Sequence, residues 1–400
     1  SMMRNQSQNT EQSQSFLPSG SMVEDWEVIV IGAGPAGSLA AIQLARQGIR
    51  VLLVDKAKFP RTKVCGSCLS GKAIKVLKAL KLDAALLAAV PLKTFRLATC
   101  QREVVLGTEG GYAISRRQLD QQLATIAQAA GVVFQDATTA SLGNLREGMR
   151  EVILTNKSER SPTVRAKLVL VCAGLGNADL SGSLPVNESL MSNPSIGLTC
   201  LLPPDGRFEP GQIEMSVHRK GYVGVTSVED GQINVSAAIR KQTLGGSQRI
   251  TQVIQQVIGE AGLTVPFIPE STRWLGTREL TRTVQIPGAK RALVLGDAAG
   301  YVEPFTGEGM AWAMEAAVKV QPFVNQALSR WDPIILDQWT KICRKQSRSR
   351  QRTCHWIKRL TARPILIRSA IEVLRSFPAL ARPFIHSIHG KSNTSLEKNK

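Results

Sequence analysis

The sequence predicts an α/β protein with a nucleotide-binding domain on a parallel sheet, a second domain with an antiparallel sheet, and a helical C-terminal segment. Three observations predict it. A β-branched run at Val28–Ile31 leads through closely spaced glycines into a helical pattern. Short alternating runs with turn residues lie between Ser195 and Lys241. Apolar residues recur at helical spacing near the C-terminus.

Length and composition indicate a globular protein too large for one small core. A chain of 400 residues favours two domains or one large domain with insertions, and its apolar content of 43% is ordinary. Residues 1–21 are rich in Gln, Ser and Asn, so we expect them to be disordered. The seven cysteines are scattered and odd in number, which favours a reducing compartment over a disulfide framework. With no secretory pattern, we expect a cytoplasmic protein.

The first βαβ unit carries a dinucleotide fingerprint. Gly32, Gly34 and Gly37 form G-x-G-x-x-G between a strand and a helix. The first glycine permits the turn, the second allows a pyrophosphate to approach the backbone, and the third allows helix and strand to pack closely. The helix start offers free N–H groups to phosphate. The second strand, Val51–Val54, ends in Asp55, where an acid binds ribose hydroxyls.

Later elements complete the nucleotide-binding domain. A helix and a strand are predicted within 114–135, a further strand over 164–173, and another within RALVLGDAAG at 291–300. The last strand ends in Gly296-Asp297, and a helix is expected from about Gly307 to Leu328. Asp297 is an acceptor suited to a sugar-like hydroxyl, and the amides at the helix start stabilise an anion. Within the second domain, Glu229–Gly231 is a predicted hairpin turn.

Four motifs in this order resemble those of a known superfamily. GAGPAG, the FPRTKVCG segment, R-x-x-L-D at 116–120 and GDAAGYVEPFTGEGM are similar to the FAD motifs of the para-hydroxybenzoate-hydroxylase-fold superfamily. The most similar members are those of the geranylgeranyl reductase group. The resemblance covers roughly residues 26–390. It implies an FAD-dependent oxidoreductase with a Rossmann-like, three-layer ββα FAD-binding domain.

The resemblance also implies a division of the chain. The FAD-binding domain takes 22–95, 110–180 and 276–330, and the substrate domain takes 96–109 and 181–275. A basic helical region follows at 331–400.

The same resemblance implies cofactor contacts. The fingerprint glycines approach the pyrophosphate, Asp55 binds the adenosine ribose, and Asp297 binds the ribityl chain. Arg61 and Arg116 contact the phosphates or the ribityl region, and the amides of 307–310 face the flavin pyrimidine edge. The full predicted set, with no metal ligand, is Gly32, Gly34, Pro35, Ala36, Gly37, Asp55, Lys56, Arg61, Cys65, Gly66, Arg116, Asp297, Pro304, Gly307, Gly309 and Met310.

The sequence departs from the family pattern at two places. Many hydroxylases carry Asp-Gly after the late strand, whereas this chain has Cys172-Ala173-Gly174. The reductases commonly have a Trp two residues after the Tyr of the substrate sheet, whereas Gly224 follows Tyr222 here. The two residues are therefore predicted to line a substrate pocket with room for a bulky or differently shaped molecule. The W-x-W-x-I-P motif of tryptophan halogenases is absent.

The VCGSC stretch at 64–68 has three interpretations. A zinc site needs two further nearby ligands, and no second C-x-x-C exists. A redox dithiol remains an alternative, although we find no convincing second fingerprint for NADPH. The preferred interpretation is a turn that packs beside the isoalloxazine. In it Gly66 lets the backbone pass close to the ring, and Cys65 is a small neighbour.

The C-terminal region is strongly basic. The chain carries a net charge of +19, and from Arg344 to Lys400 there are 14 Lys or Arg against two acids. Leu360, Ile367, Ile371 and Leu374 fall on one helical face, bordered by Arg368, Arg375 and Arg382. Two interpretations stay open: peripheral contact with an anionic membrane, or a helical subdomain packed on the body. Specific nucleic-acid binding is not expected, because no recognition motif accompanies the charge.

The expected function is that of an FAD-dependent oxidoreductase acting on a small apolar substrate, prenyl-like or polyketide-like. NAD(P)H is expected to reduce the flavin by transient docking. A reductase is preferred. The alternative is a monooxygenase or halogenase that uses a C4a flavin–oxygen adduct, and a third class is a flavin-binding or membrane-docking protein without turnover. The sequence identifies no catalytic residue beyond Cys65 as a flavin neighbour.

Overall fold

The structure is a computed structural model. It describes residues 24–108, 110–156, 160–174, 194–244, 249–279, 281–284, 286–302, 308–361 and 363–381. The N-terminal residues expected to be disordered lie outside this part of the chain, as do Pro304 and Gly307 of the predicted cofactor site.

Strands and helices are mixed along the described chain. The strands are β1 (Asp25–Ile31), β2 (Val51–Val54), β3 (Cys68–Leu69), β4 (Val90–Pro91), β5 (Thr94–Thr99), β6 (Arg102–Gly107), β7 (Tyr112–Ala113), β8 (Val133–Gln135), β9 (Thr138–Arg146), β10 (Met149–Asn156), β11 (Arg160–Val171), β12 (Ser195–Leu202), β13 (Gln212–His218), β14 (Gly221–Ser227), β15 (Ile233–Arg240), β16 (Leu275–Glu279), β17 (Thr281–Thr283), β18 (Gly288–Ala289), β19 (Ala292–Val294) and β20 (Gly300–Val302). The helices are α1 (Pro35–Arg46), α2 (Gly71–Ala79), α3 (Arg116–Ala129), α4 (Lys241–Leu244), α5 (Ile250–Ala261), α6 (Gly309–Lys319), α7 (Gln321–Ser329), α8 (Pro333–Thr361) and α9 (Pro364–Ser376).

The first sheet forms the middle of a three-layer domain. Its strands run in the order β18-β19-β11-β1-β2-β8, with β9 and β10 attached to β11. Val28 and Val30 of β1 face a helical layer that includes α1, α3 and α6. Ile29 and Ile31 face the opposite way and pack in one cluster with Val152 of the β9–β10 hairpin. Burial on both faces explains the continuous β-branched run. The predicted three-layer ββα architecture is confirmed.

The second sheet has seven strands in the order β16-β12-β15-β14-β13-β5-β6. The predicted hairpin is confirmed, because β14 and β15 pair antiparallel around Glu229–Gly231. The expectation of an entirely antiparallel sheet is wrong at one place: β13 and β5 pair in parallel, with Gln212 opposite Thr94. More than a hundred residues separate these strands along the chain, so no local turn forces an antiparallel pairing.

Two element boundaries differ from those expected. The second sheet begins at Thr94 and ends at Glu279. The predicted boundaries place residues up to 95 and from 276 onward in the FAD-binding domain. The single helix expected from 307 to 328 is two helices, α6 and α7, that meet at Val320. Pro322 occupies the first turn of α7, and a proline ring disfavours continuation of the preceding helix.

The C-terminal helix α9 packs on the second sheet. Ile367 and Ile371 are buried in the cluster that contains Phe95, Leu97 and Val104. Of the apolar stripe predicted from sequence, these two residues therefore face the protein, which agrees with the packed-subdomain interpretation. Leu374 contacts the same cluster, and Leu360 lies among the side chains outside the description. Among the described residues, no helix combines the length and apolarity needed to cross a membrane.

The orientation of α9 gives a matched pair of expected outcomes. Ile371→Ala removes a fully buried side chain, so we expect the free energy of unfolding to fall by about 2–5 kcal/mol. Val373→Ala, two residues along, removes an exposed one and should change stability by no more than about 0.5 kcal/mol. Chemical denaturation of both variants checks this, and equal losses would contradict the orientation.

Candidate cofactor and substrate site

The glycine loop between β1 and α1 has no room for side chains. Gly32 adopts φ +104°, and its amide donates to the Val54 carbonyl at 2.7 Å. A Cβ atom at Gly37 would lie 1.8 Å from the Gly32 carbonyl oxygen. Gly34 caps α1, and Pro35 opens the helix, so the unpaired amides of the first turn face the loop. This is the geometry that accepts a phosphate group.

Asp55 ties the end of β2 to this loop. Its carboxylate accepts from the Ala33 and Ala57 amides, both at 2.9 Å, and from Arg61 Nη2 at 3.1 Å. Burial raises the pKa of Asp55, but Arg61 and the two amides outweigh burial, so the pKa lies below its usual value. An ionised carboxylate has about four acceptor positions, which leaves capacity for a ribose hydroxyl.

Two arginines lie beside the second glycine of the loop. Arg116 donates to Asp120 through Nε at 2.9 Å and Nη2 at 2.7 Å, and Arg61 donates to the same carboxylate at 2.7 Å. Asp120 is fully buried, and its charge raises the pKa of Arg116 above the usual value against the opposing effect of burial. The position of a Cβ atom at Gly34 would be 3.3 Å from Arg116 Nη2 and 4.0 Å from Arg61 Nη2. Both guanidinium groups therefore border the loop.

Lys63 joins this cluster, although its role was not predicted from the sequence. Its Nζ lies 2.6 Å from the position that a Cβ atom would take at Gly174. Burial lowers the pKa of Lys63 to about 8, helped by Arg116 and Arg61. The only sequence signal was proximity: Lys63 lies two residues after the predicted Arg61, in the same irregular segment.

Asp297 lies near the same cluster, although it comes from a distant part of the chain. It lies in a short turn, Gly296–Ala299, directly after β19, and its charge raises the pKa of both Lys63 and Arg116. The structure thus brings together predicted residues from three separate stretches of chain. Lys56 is exposed beside Asp55, and Pro35 and Ala36 are buried in α1. Gly309 and Met310 open α6.

The VCGSC turn contacts the second sheet and the start of α6. The Cys65 carbonyl accepts from Asn234 Nδ2 at 3.1 Å and from Thr199 Oγ1 at 3.4 Å, both on the second sheet. The Cys65 Sγ accepts from the Ser67 amide at 3.3 Å and lies 4.0 Å from Met310 Sδ. Cys65 therefore sits between the second sheet and the start of α6, where the flavin edge was predicted.

Cys68 is oriented differently from Cys65. Its thiol donates to the Gly66 carbonyl at 3.2 Å and lies 3.8 Å from Thr226 Oγ1. Burial raises the pKa of Cys68 to about 12. Because of this raised pKa, the Cys68 thiol stays protonated at physiological pH. Neither Cys65 nor Cys68 forms a disulfide.

The predicted substrate residues lie on the face of the second sheet that meets this turn. A Cβ atom at Gly224 would be 3.4 Å from Ser236 Oγ and 3.5 Å from Met215 Cε. The same Ser236 Oγ is 3.6 Å from the Cβ position of Gly66. Tyr222 contacts the apolar cluster that includes Met215. Gly224 and Gly66 thus both lie next to Ser236.

The fold and this site together define an FAD-dependent oxidoreductase. The chain belongs to the FAD binding domain family, whose model matches residues 25–351. It is similar to the menaquinone reductase of Mycobacterium tuberculosis, with 25% identity over 330 residues that cover 78% of this chain and 80% of that one. It is also similar to the digeranylgeranylglycerophospholipid reductase of Methanosarcina acetivorans, with 26% identity over 345 residues that cover 82% of this chain and 81% of that one.

Solved structures support the fold. A flavin-dependent brominase superposes with a TM-score of 0.71 and 16% identity, covering 91% of this chain and 93% of that chain. A halogenase in complex with phloroglucinol and FAD superposes with a TM-score of 0.65 and 17% identity, covering 80% of this chain and 73% of that chain. At this identity the likeness concerns the fold alone.

The pKa of Lys63 predicts a pH dependence of FAD affinity. If Lys63 contacts the pyrophosphate as assigned, its protonated form attracts the phosphates, so affinity is greatest well below pH 8 and falls as Lys63 loses its proton at higher pH. We expect FAD to bind about tenfold more weakly at pH 10 than at pH 7. Lys63→Met should bind weakly throughout and lose this dependence. The measurement is fluorescence titration of the apoprotein, and a variant with the wild-type pH profile would contradict the assignment.

Asp297 gives a second expected outcome. Asp297→Ala should weaken FAD binding by at least about tenfold, because a charge-assisted hydrogen bond to the cofactor is lost. Asp337→Ala, an exposed acid on α8, is the matched control and should retain FAD fully. The ratio of flavin to protein absorbance after purification measures both. Full occupancy in Asp297→Ala would refute its ribityl role.

Proposed function

We propose that this FAD-dependent oxidoreductase is a reductase for an apolar, prenyl-like or polyketide-like substrate, with NAD(P)H as the transient electron donor. One observation carries the proposal. The surface where Gly66, Ser236, Gly224 and Met215 meet is small and uncharged, so it suits an apolar substrate beside the cofactor. The two reductases to which the chain is similar are named for menaquinone and for a digeranylgeranyl lipid, which supports this substrate class.

The residues present fit FAD. The start of α1 at Gly34 offers amides, and Arg61, Lys63 and Arg116 supply positive charge where two phosphates would lie. In this proposal Asp55 holds the adenosine ribose and Asp297 the ribityl hydroxyls.

The amides of Gly309 and Met310 begin α6 next to Cys65. A helix start stabilises negative charge, so these amides would favour the reduced cofactor at its pyrimidine edge.

When bound and reduced, FAD would supply a hydride to one carbon of a substrate double bond and return to its oxidised form, while the other carbon would take up a proton. The protein's part is to bind, orient and exclude water. Asn234 and Thr199 fix the Cys65 carbonyl, which holds the turn against the second sheet. Met310 packs beside this turn, with its Sδ atom 4.0 Å from Cys65 Sγ.

The thiols fit packing better than redox exchange. Disulfide exchange requires a thiolate, and the raised pKa of Cys68 keeps it protonated. Cys65 then serves as a small neighbour of the ring, as the sequence suggested. The dithiol interpretation has a direct test.

Cys68→Ser should leave reduction by NAD(P)H and substrate turnover within about twofold of wild type, because a hydroxyl retains the hydrogen bond to Gly66. Cys100→Ser, an exposed cysteine remote from the turn in sequence, is the control. Stopped-flow absorbance follows both half-reactions. Turnover that halts after the cofactor is reduced would restore the dithiol interpretation.

The reductase proposal itself is tested with holoenzyme reduced by one equivalent of dithionite under argon. It is mixed with neutral detergent micelles that contain either menaquinone or a digeranylgeranyl glycerolipid. We expect one of these substrates to restore the absorbance of oxidised FAD faster than empty micelles do. Mass spectrometry should show a product heavier by two hydrogen atoms. No return under argon, with an oxygenated or halogenated product in air, would instead establish the alternative.

A further inference from the structure

Helix α9 has a second apolar face that points away from the protein. Opposite the buried Ile367 and Ile371, a group of large side chains is exposed. These are Ile365 at 75%, Leu366 at 44%, Val373 at 49%, and, where the helix ends, Phe377 at 64% and Leu380 at 60%. Among the described residues, a third of the exposed large apolar side chains falls within these sixteen positions. Such a concentration marks an interaction surface.

Arginines border this exposed face. At 100° per residue, Ile365, Ser369 and Val373 share one line along the helix, while Arg368 and Arg375 lie on one side of it and Arg363 on the other. All three arginines are exposed. Their long stems reach past the helix flank and place charge at the level of lipid headgroups.

One acid lies close to this face, and it is neutralised locally. Glu372 is 3.4 Å from Arg102 on β6 and 4.0 Å from Arg375. The surrounding sequence is strongly basic, with only two acids, Glu372 and Glu397, after Arg344. The electrostatic field at this end of the molecule therefore favours an anionic partner.

We infer that α9 lies in the surface of an anionic lipid bilayer, with Ile365, Val373 and Phe377 entering the acyl boundary. An apolar face flanked by cations is the pattern of an interfacial helix. Anionic headgroups would pair with the arginines, and the apolar side chains would leave water. This arrangement accounts for both the exposed apolar face and its basic border.

The position of α9 connects this surface to the candidate substrate site. Ile367 and Ile371 belong to the same apolar cluster as Met215 and Tyr222, on the face of the second sheet that meets the VCGSC turn. A lipid-borne substrate leaving the bilayer at α9 would enter beside this cluster. Delivery of substrate from the bilayer rests on the proposed function, whereas membrane docking does not.

Docking is tested by flotation of full-length holoenzyme with vesicles of phosphatidylcholine alone or mixed with phosphatidylglycerol, followed by flavin absorbance. We expect the mixed vesicles to bind at least about tenfold more protein. The double variant Ile365→Ser/Phe377→Ser should lose at least about tenfold in binding to them. Its control is Leu87→Ser/Phe267→Ser, which alters equally exposed side chains elsewhere.

The charge contribution is tested separately. Arg368→Gln/Arg375→Gln should weaken binding to mixed vesicles about tenfold, and Arg330→Gln should not. Equal flotation of wild type with both vesicle types, or unchanged flotation of the α9 variants, would overturn the inference. A dimer that the apolar variant converts to monomer, without vesicle binding by wild type, would assign this face to a second copy of the chain and also overturn it.

Delivery is distinguished from function by comparing presentations of the substrate. The α9 variants should lose turnover of substrate embedded in vesicles and keep turnover in detergent micelles. If wild type reduces neither substrate in micelles, the proposed function fails while flotation still decides docking. If the variants keep turnover in vesicles after losing flotation, delivery through α9 is wrong.

Discussion

The site depends on one buried carboxylate. Asp120 is fully buried, and an unpaired charge there would be strongly unfavourable. The guanidinium groups of Arg61 and Arg116 both form ion pairs with the Asp120 carboxylate, which compensates its buried charge. Because each arginine is held by Asp120, each has a fixed position beside Gly34 while keeping N–H donors for another anion. The side chains that bind the cofactor phosphates in our account are therefore positioned before any cofactor arrives.

The short segment from Arg61 to Cys68 links this network to the substrate side. Arg61 and Lys63 face the phosphate region, and the Cys65 carbonyl two residues later is held by the second sheet. One segment thus contacts both ends of the flavin site. In our proposal, the basic residues of this segment bind the cofactor phosphates and its tight turn leaves space for the flavin ring. A change in the second sheet would alter substrate fit and the position of this segment together.

The sequence predicted those parts of the fold that local chemistry determines. The glycine fingerprint was readable because a side chain at Gly37 would collide with the Gly32 carbonyl. The R-x-x-L-D motif was identified only by its resemblance to the family, and the ion pair between Arg116 and Asp120, four residues apart in α3, emerged from the structure.

Features that depend on distant chain segments were not predictable. Lys63 lies beside Gly174 and interacts with the charge of Asp297, and both residues are far away in the sequence. The parallel pair of β5 with β13 likewise joins separate regions. Apolar spacing near the C-terminus indicated one apolar stripe, open to either a membrane or a packed interpretation, and could not show that α9 buries this stripe while a second one is exposed.

The central claim is that the arginine–lysine cluster beside Gly34 binds the FAD pyrophosphate. It is tested most directly by titrating the apoprotein with FAD and with riboflavin, which has the same ring but no phosphate. The account predicts that FAD binds at least about a hundredfold more tightly, since several charge-assisted hydrogen bonds are available only to FAD. The difference should shrink in Arg116→Gln. Equal affinity for the two flavins, unchanged in that variant, would contradict the account.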